Sequence, residues 1–450
     1  MDAVSLVSQL SGFLYTVGSF VVLLSIIVAV HEYGHYIVGR WCGIHPEVFS
    51  LGFGPVLASR VDKRGTRWQV AAFPFGGFVK FLGDADAASG KDTGSLSAAE
   101  QDPALLRKTM HGAPLWARSA TVAAGPIFNF ILSIVIFTGV ILVQGQMKDP
   151  LTVGELRPLP DQSLTLRPGD EIKAISGLET PAFTDQAAWS AFEQAVPVEP
   201  VLEYRVLRDG AERIVRGPYL SPSLVTGVAP RSAASDAGLR EGDVIQSVDG
   251  DEIFTFGQLK EKVEAGNGAP LTLGVWNRDG EREVTLTPRR TDEPTAEGGF
   301  ATHWRIGIAG GLAFEPASES ISPLVAVGRA TTQIWVMIEQ SLSGLKHIIT
   351  GQISTCNLSG PVAIAEVSGT MASQGAMEFI LLIAALSTGI GLLNLFPVPV
   401  LDGGHLVFFA YEAVTGKAPN DRAMQVLMMM GLALVLGLML FSVSNDILFC

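Results

Sequence analysis

The stretch His31-Glu32-Tyr33-Gly34-His35 carries two imidazoles four residues apart. On a helix they share one face, about 6 Å apart along the axis, which suits two ligands of one zinc ion. Glu32 is placed to act as a base on water held by such an ion. A soluble core helix with two satisfied histidines would show the same pattern. Location separates the two readings. No charged residue lies between Asp2 and Glu32, and ionisable groups at the end of an apolar run that long are costly and mark a functional site.

A second cluster reads Asn394-Leu-Phe-Pro397-Val-Pro399-Val-Leu-Asp402-Gly-Gly-His405. Zinc enzymes with two histidines commonly take a carboxylate as third ligand and leave a fourth position for water, and Asp402 can supply it. Alone, Asp402 would read as a helix cap before a glycine turn. His405 is second to the site or simply interfacial and is not expected to be a ligand.

Elements of membrane length must position these groups. The 450 residues are 48% hydrophobic, with a mean hydropathy of +0.35. Residues 3–30, 119–147, 379–401 and 423–445 lack Asp, Glu, Lys and Arg. Each is long enough to cross a hydrocarbon core of about 30 Å. The second holds Gly125, Pro126 and Asn129, and the third holds Gly389, Gly391, Asn394, Pro397 and Pro399. Such breakers survive in a span where protein or water satisfies the freed backbone. The first run has no basic flank or cleavage site and reads as a retained span.

Residues 40–118 hold ten Lys or Arg. The positive-inside rule puts this loop in the cytoplasm and both termini outside. Residues 151–320 carry 27 acids against 16 bases, which suits a soluble extracytoplasmic insert and argues against nucleic acid. Residues 321–349 are apolar but carry Arg329, Glu339 and Lys346, so they read as an amphipathic helix on the membrane surface. With four spans, Asp402 falls on the same side as His31 and His35; a fifth would separate them. Cys42, Cys356 and Cys450 are far apart and odd in number, so no disulfide framework is expected. Cys42 is expected to be a buried thiol without a role.

The chain resembles the site-2 protease family of intramembrane zinc metalloproteases, in its bacterial RseP type. The matching segments are HEYGH at 31–35, FSLGFGP at 49–55, FPFGGFVKFLGD at 73–84, AAGPIFNF at 123–130, NLSGPVAIA at 357–365 and LNLFPVPVLDGGH at 393–405. The resemblance implies zinc ligands at His31, His35 and Asp402 and a catalytic Glu32. It further implies substrates that are single-span membrane proteins already cut outside, such as anti-sigma factors and signal-peptide remnants, in a bacterial inner membrane. The active site would face the cytoplasm, and the termini and insert the periplasm.

A helical substrate must unwind before its carbonyls can be attacked. Residues 67–73 and 77–82 read as two strands joined by Pro74, Phe75 and Gly76, a hairpin whose edge could pair with an extended substrate. Asn394, Pro397, Pro399, Gly76 and Gly77 are the expected substrate-binding residues. Asn394 would hold substrate backbone, or would instead bond between helices; Pro397 and Pro399 would keep the chain extended before Asp402. Residues 85–104 read as a poorly ordered linker without a motif.

The insert carries Gly238-Leu239-Arg-Glu-Gly242-Asp243, running on to Asp249-Gly250, and a weaker copy, Leu166-Arg-Pro-Gly169-Asp170, running on to Gly177. This repeat resembles two tandem PDZ domains. Their grooves would capture peptide chain ends, or the pair would exclude bulky ectodomains.

The expected architecture is a multi-pass α-helical membrane protein with four transmembrane helices, a cytoplasmic-side β hairpin and two extracytoplasmic PDZ domains of mixed α+β type. The divisions are 1–40 with the first span, 41–114 with the hairpin at 67–82, 115–147 the second span, 148–220 and 221–315 the PDZ domains, and 316–356 the surface helix. Then follow 357–401 as linker and third span, 402–422 as a cytoplasmic loop, 423–445 as the fourth span and 446–450 as the tail. The competing reading is a non-catalytic PDZ membrane scaffold with a structural metal site.

Overall fold

The computed structural model describes residues 3–84, 102–160, 164–182, 185–295 and 299–449. Most of the expected linker at 85–104 lies outside the described residues; Pro103–Leu106 within it is one helical turn. Contacts divide the chain into two units, residues 141–322 with 352–354, and the remainder.

The chain opens with helix α1, Ala3–Trp41. Strands β1, Pro46–Val61, and β2, Arg67–Phe81, follow, then helix α2, Leu115–Gln144. The expected hairpin across Pro74 and Gly76 is not formed. β2 runs on through that point, and its two ends flank the same part of β1: Leu51 pairs with both Gly77 and Val70, and Val48 with both Lys80 and Arg67. The glycines at 52, 54 and 76, all at positive φ, let the strands curl in this way. The reversal between the strands falls at Asp62, whose carboxylate accepts from the N–H groups of Arg64 and Thr66 and from Trp68 Nε1.

The second unit has two halves. The first contains β3 (Val153–Leu156), β4 (Glu171–Ile175), β5 (Leu178–Glu179), α3 (Gln186–Ala195), β6 (Val201–Arg208) and β7 (Ala211–Pro218). The second contains β8 (Val225–Val228), β9 (Val244–Val248), β10 (Asp251–Glu252), α4 (Phe256–Ala265), β11 (Leu271–Asn277) and β12 (Gly280–Leu286). Two sheets of like order result, β5-β4-β6-β7 and β10-β9-β11-β12. Ile172 faces Val206 and Ile245 faces Val275, and a register shift follows each pair. Asp170 and Asp243 are buried in corresponding turns after Gly169 and Gly242, paired with Arg208 and Arg282.

Strands β13 (Arg289–Pro294) and β14 (Phe300–Arg305) form a hairpin. β15 (Ile308–Gly310) pairs with β8, and β16 (Phe314–Pro316) pairs with β3. Ala313 and Phe314 lie in the first half's core with Ile172, Phe192 and Tyr204. Residues 314–316 thus return to the first half, pairing with β3 and packing in its core.

The chain ends in helices α5 (Pro323–Ile349), α6 (Pro361–Gln374), α7 (Ala376–Asn394), α8 (Asp402–Thr415) and α9 (Asp421–Ser444). Among the described residues four helical stretches are long and apolar enough to cross a membrane: Leu10–Trp41, Leu115–Gln144, Ala376–Asn394 and Arg422–Leu448. α5 is not one of them, although Leu324, Trp335 and Ile349 on it are exposed.

Three expectations change here. The third apolar run is not one helix to 401: it stops at Asn394, ahead of Pro397 and Pro399. The residues from Asp402 to Thr415 are a helix, not a loop, and α6 lies within the expected linker. Cys356 is disulfide-bonded; cysteines distant in sequence can be joined by the fold. Asp446 accepts from the backbone N–H groups of Gly360 and Ala363, capping α6, whose first residue is preceded by a glycine that has no side chain to do so.

Candidate active site and metal centre

His31 and His35 lie on the last turns of α1, one helical turn apart. Two glycines let α2 approach them closely. A Cβ on Gly34 would lie 2.5 Å from the Ala124 carbonyl oxygen and 2.9 Å from Phe128 Cβ. A Cβ on Gly125 would lie 2.3 Å from His35 Nε2 and 2.8 Å from His31 Cε1. Small residues at helix crossings in lipid serve this purpose. Pro126 follows within the same helix.

Asp402 is the first residue of α8 and reaches the same place. Residues 395–401 are not extended, as Pro397 and Pro399 suggested, but wound into turns: Val398 N–H donates to Phe396 O and Leu401 N–H to Val398 O. Gly403 and Gly404 fit beneath this loop. A Cβ on Gly403 would stand 2.3 Å from the carbonyl oxygens of Leu395 and Phe396. The loop folds back on its own glycines, which fixes where the carboxylate emerges.

The result is a tight triangle. His31 Nε2 and His35 Nε2 are 3.2 Å apart. Asp402 Oδ2 is 3.2 Å from the first and 3.5 Å from the second. Two donors held about 2.0–2.1 Å from a tetrahedral zinc stand about 3.3–3.4 Å from each other, so the triangle has the size that ion requires. Asp402 Oδ2 is buried without a hydrogen-bond partner. Two imidazole nitrogens and a carboxylate oxygen are the donor set zinc takes, so the residues fit the metal. Among the described residues this is the group of three or more such side chains that could hold an ion.

The far sides of both rings are held from α2. His35 Nδ1 lies 2.9 Å from the Thr121 carbonyl oxygen. A carbonyl accepts only, so Nδ1 carries the proton and Nε2 offers its lone pair to the centre of the triangle. His31 Nδ1 lies 3.3 Å from the amide of Asn129.

Glu32 faces β2. A Cβ on Gly77 would lie 3.0 Å from Glu32 Cγ. The triangle, Glu32, Gly77 and Asn394 line one cavity of ≈ 320 Å³. His405 lines it too. Gly76, Pro397 and Pro399 do not. Gly76 lies against the Phe53 ring, and Pro399 packs on Gly404 and on Gly431 of α9. Cys42 is a free, half-buried thiol outside the triangle.

Sequence reasoning passed over four contributors. Asn129 and Gly125 were noted only as helix breakers in an apolar run. Arg118 and Glu412 form a bidentate pair, Nη1 to Oε2 at 3.0 Å and Nη2 to Oε1 at 2.6 Å, tying α2 to α8 beside the cavity. Their only signal was charge at two helix ends.

A half-buried triangle of two imidazole nitrogens and a carboxylate oxygen, on a membrane-length helix and beside a second carboxylate, has the make-up of a metallohydrolase centre. Residues 19–438 match peptidase family M50. The chain is 35% identical over 432 residues to a protein of Agrobacterium fabrum named for zinc metalloprotease activity (Atu1380), covering 95% of this chain and 94% of that one. It is 32% identical over 463 residues to the Regulator of sigma-E protease RseP of Salmonella typhimurium, covering 96% and 98%. The chain belongs to peptidase family M50, the site-2 proteases, and is a zinc-dependent intramembrane metalloprotease.

Proposed function

We propose that His31, His35 and Asp402 hold the zinc ion and that Glu32 is the catalytic general base and acid. The observation that carries this is the 3.2–3.5 Å triangle of Nε2, Nε2 and Oδ2 with Glu32 on the same cavity wall. Zinc, when bound, supplies Lewis acidity and lowers the pKa of coordinated water. Glu32 takes the proton from the attacking water and returns it to the leaving amine. Glu32 and Val79 line the same cavity wall.

The substrates in this reading are single transmembrane segments of proteins already cut on the extracytoplasmic side, anti-sigma factors and signal-peptide remnants among them. The outer edge of β2 at 77–81 borders the cavity and suits strand addition by an unwound segment. Asn394 lines the cavity, and its side-chain amide makes no hydrogen bond among the described residues, which suits an amide that holds substrate backbone. The enzyme sits in the bacterial inner membrane, active site towards the cytoplasm, termini and second unit in the periplasm. A disulfide at Cys356 agrees with an oxidising compartment for that side. The two halves of the second unit are PDZ domains that bind chain ends or exclude bulky ectodomains.

The test is cleavage of a short single-span peptide by purified wild type and Glu32→Gln, with metal content measured on both. Glu32→Gln keeps its zinc and loses cleavage by about 10²–10⁴-fold. Retained cleavage would remove Glu32 from the reaction.

A further inference from the structure

Asn129 is fully buried in the middle of α2, inside a membrane-length helix. A buried amide in such a place needs partners. Its Nδ2 faces His31 Nδ1 at 3.3 Å, and its Oδ1 is buried with no hydrogen-bond partner. Its backbone carbonyl is accounted for separately. Ser133 Oγ donates to it at 3.1 Å and Ser387 Oγ of α7 at 2.9 Å. Ser387 thus ties α7 to α2 at this turn, Ser133 stays within α2 at this carbonyl, and the amide side chain is left to the imidazole.

The chemistry of His31 decides which end of the amide it needs. With Nδ2 donating to Nδ1, the ring proton sits on Nε2, and Nε2 has no lone pair to offer the triangle. With Oδ1 accepting from Nδ1–H, Nε2 is a ligand. Turning the amide end for end gives the orphaned Oδ1 its donor at the same time. His35 already shows this arrangement, with the Thr121 carbonyl at its Nδ1.

We propose that Asn129 is a positioning residue whose amide oxygen accepts from His31 Nδ1–H and sets the tautomer that offers Nε2 to the metal. The inference rests on His31 being a ligand. Acceptors at this position in zinc sites hold ring orientation and basicity, and their removal costs about 10–100-fold in metal affinity.

The experiment is zinc affinity by chelator competition on the full-length purified protein, for wild type, Asn129→Leu, Asn129→Asp, Ser133→Ala, Ser387→Ala and His31→Ala. Asn129→Leu binds zinc about 10–100-fold more weakly, while Asn129→Asp, which keeps an acceptor, restores affinity to near that of wild type. The serine variants loosen the same turn of helix without touching the amide and stay within about twofold of wild type, on that same scale. Wild-type affinity in Asn129→Leu overturns the proposal. An equal loss in Asn129→Leu, Asn129→Asp and the serine variants also overturns it, since packing would then be the cause. Unchanged affinity in His31→Ala is a separate result: it removes His31 as a ligand.

Discussion

Gly77 stands directly against Glu32. A Cβ added there would lie 3.0 Å from Glu32 Cγ, 2.8 Å from Val28 Cγ1 and 2.8 Å from the Ser50 carbonyl oxygen. Neither the strand nor the helix can take that atom without shifting. The Gly77→Ala change should move Glu32 relative to His31, His35 and Asp402 without altering any of the three. A displacement of about 1 Å costs on the order of 10²-fold in rate. Cleavage is expected to fall to that extent at full zinc content, and steady-state proteolysis beside metal analysis checks it.

Gly125 has the complementary role. Its Cβ would fall 2.3 Å from His35 Nε2, the atom proposed to bind zinc. Gly125→Ala should therefore lose zinc as well as activity. The split between the two glycine variants, metal kept in one and lost in the other, is read by zinc stoichiometry after purification.

In the second unit, Glu264 accepts from His303 at 2.6 Å and Arg305 at 2.5 Å, and Glu293 accepts twice from Arg305 at 2.6 and 2.7 Å. The hydrogen bond from His303, with help from Arg305, holds Glu264 below its usual 4.5, and the Arg305 fork does the same for Glu293. Depressed folded-state values mean that this stabilisation is complete above about pH 4.5 and disappears as pH falls through the folded values. The thermal midpoint of this unit is expected to drop between about pH 5 and 3. Arg305→Met should lower the midpoint at pH 7 and flatten the acid decline. Unfolding followed by tryptophan fluorescence across pH tests both.

Asp446 caps α6 from the far end of the chain, with Gly360 and Ala363 N–H at 3.1 Å each. Asp446→Ala should cost about 1 kcal/mol, and Asp446→Asn distinctly less, because asparagine is also a good cap. Amide hydrogen exchange at 360–363 should rise in the alanine variant only.

What could be read from sequence follows from what each signal depends on. His31 and His35 are four residues apart, so helix periodicity alone puts them together. The four spans are set by composition over about twenty residues, and α1, α2, α7 and α9 fall where the charge-free runs lie. Asp402 needed a parity argument, since 367 positions separate it from His35; the structure brings its oxygen within 3.5 Å of that ring. The curl of β2 about β1 was missed because Pro74 and Gly76 look the same in a hairpin turn and in a sharply bent strand. The return of Phe314 to the first half was missed because strand pairing across more than 150 residues leaves no local trace. Asn129 read as a helix interruption because nothing in its neighbours shows that an imidazole of another helix lies against it.

Asp402 and the two histidines are proposed to share one zinc ion. Zinc-edge X-ray absorption on the purified full-length protein measures this most directly, for wild type and Asp402→Ala. Two imidazole nitrogens with carboxylate oxygen in the wild type, and loss of the ion or of that oxygen in Asp402→Ala, are the expected outcome. An unchanged zinc environment in Asp402→Ala would contradict the account.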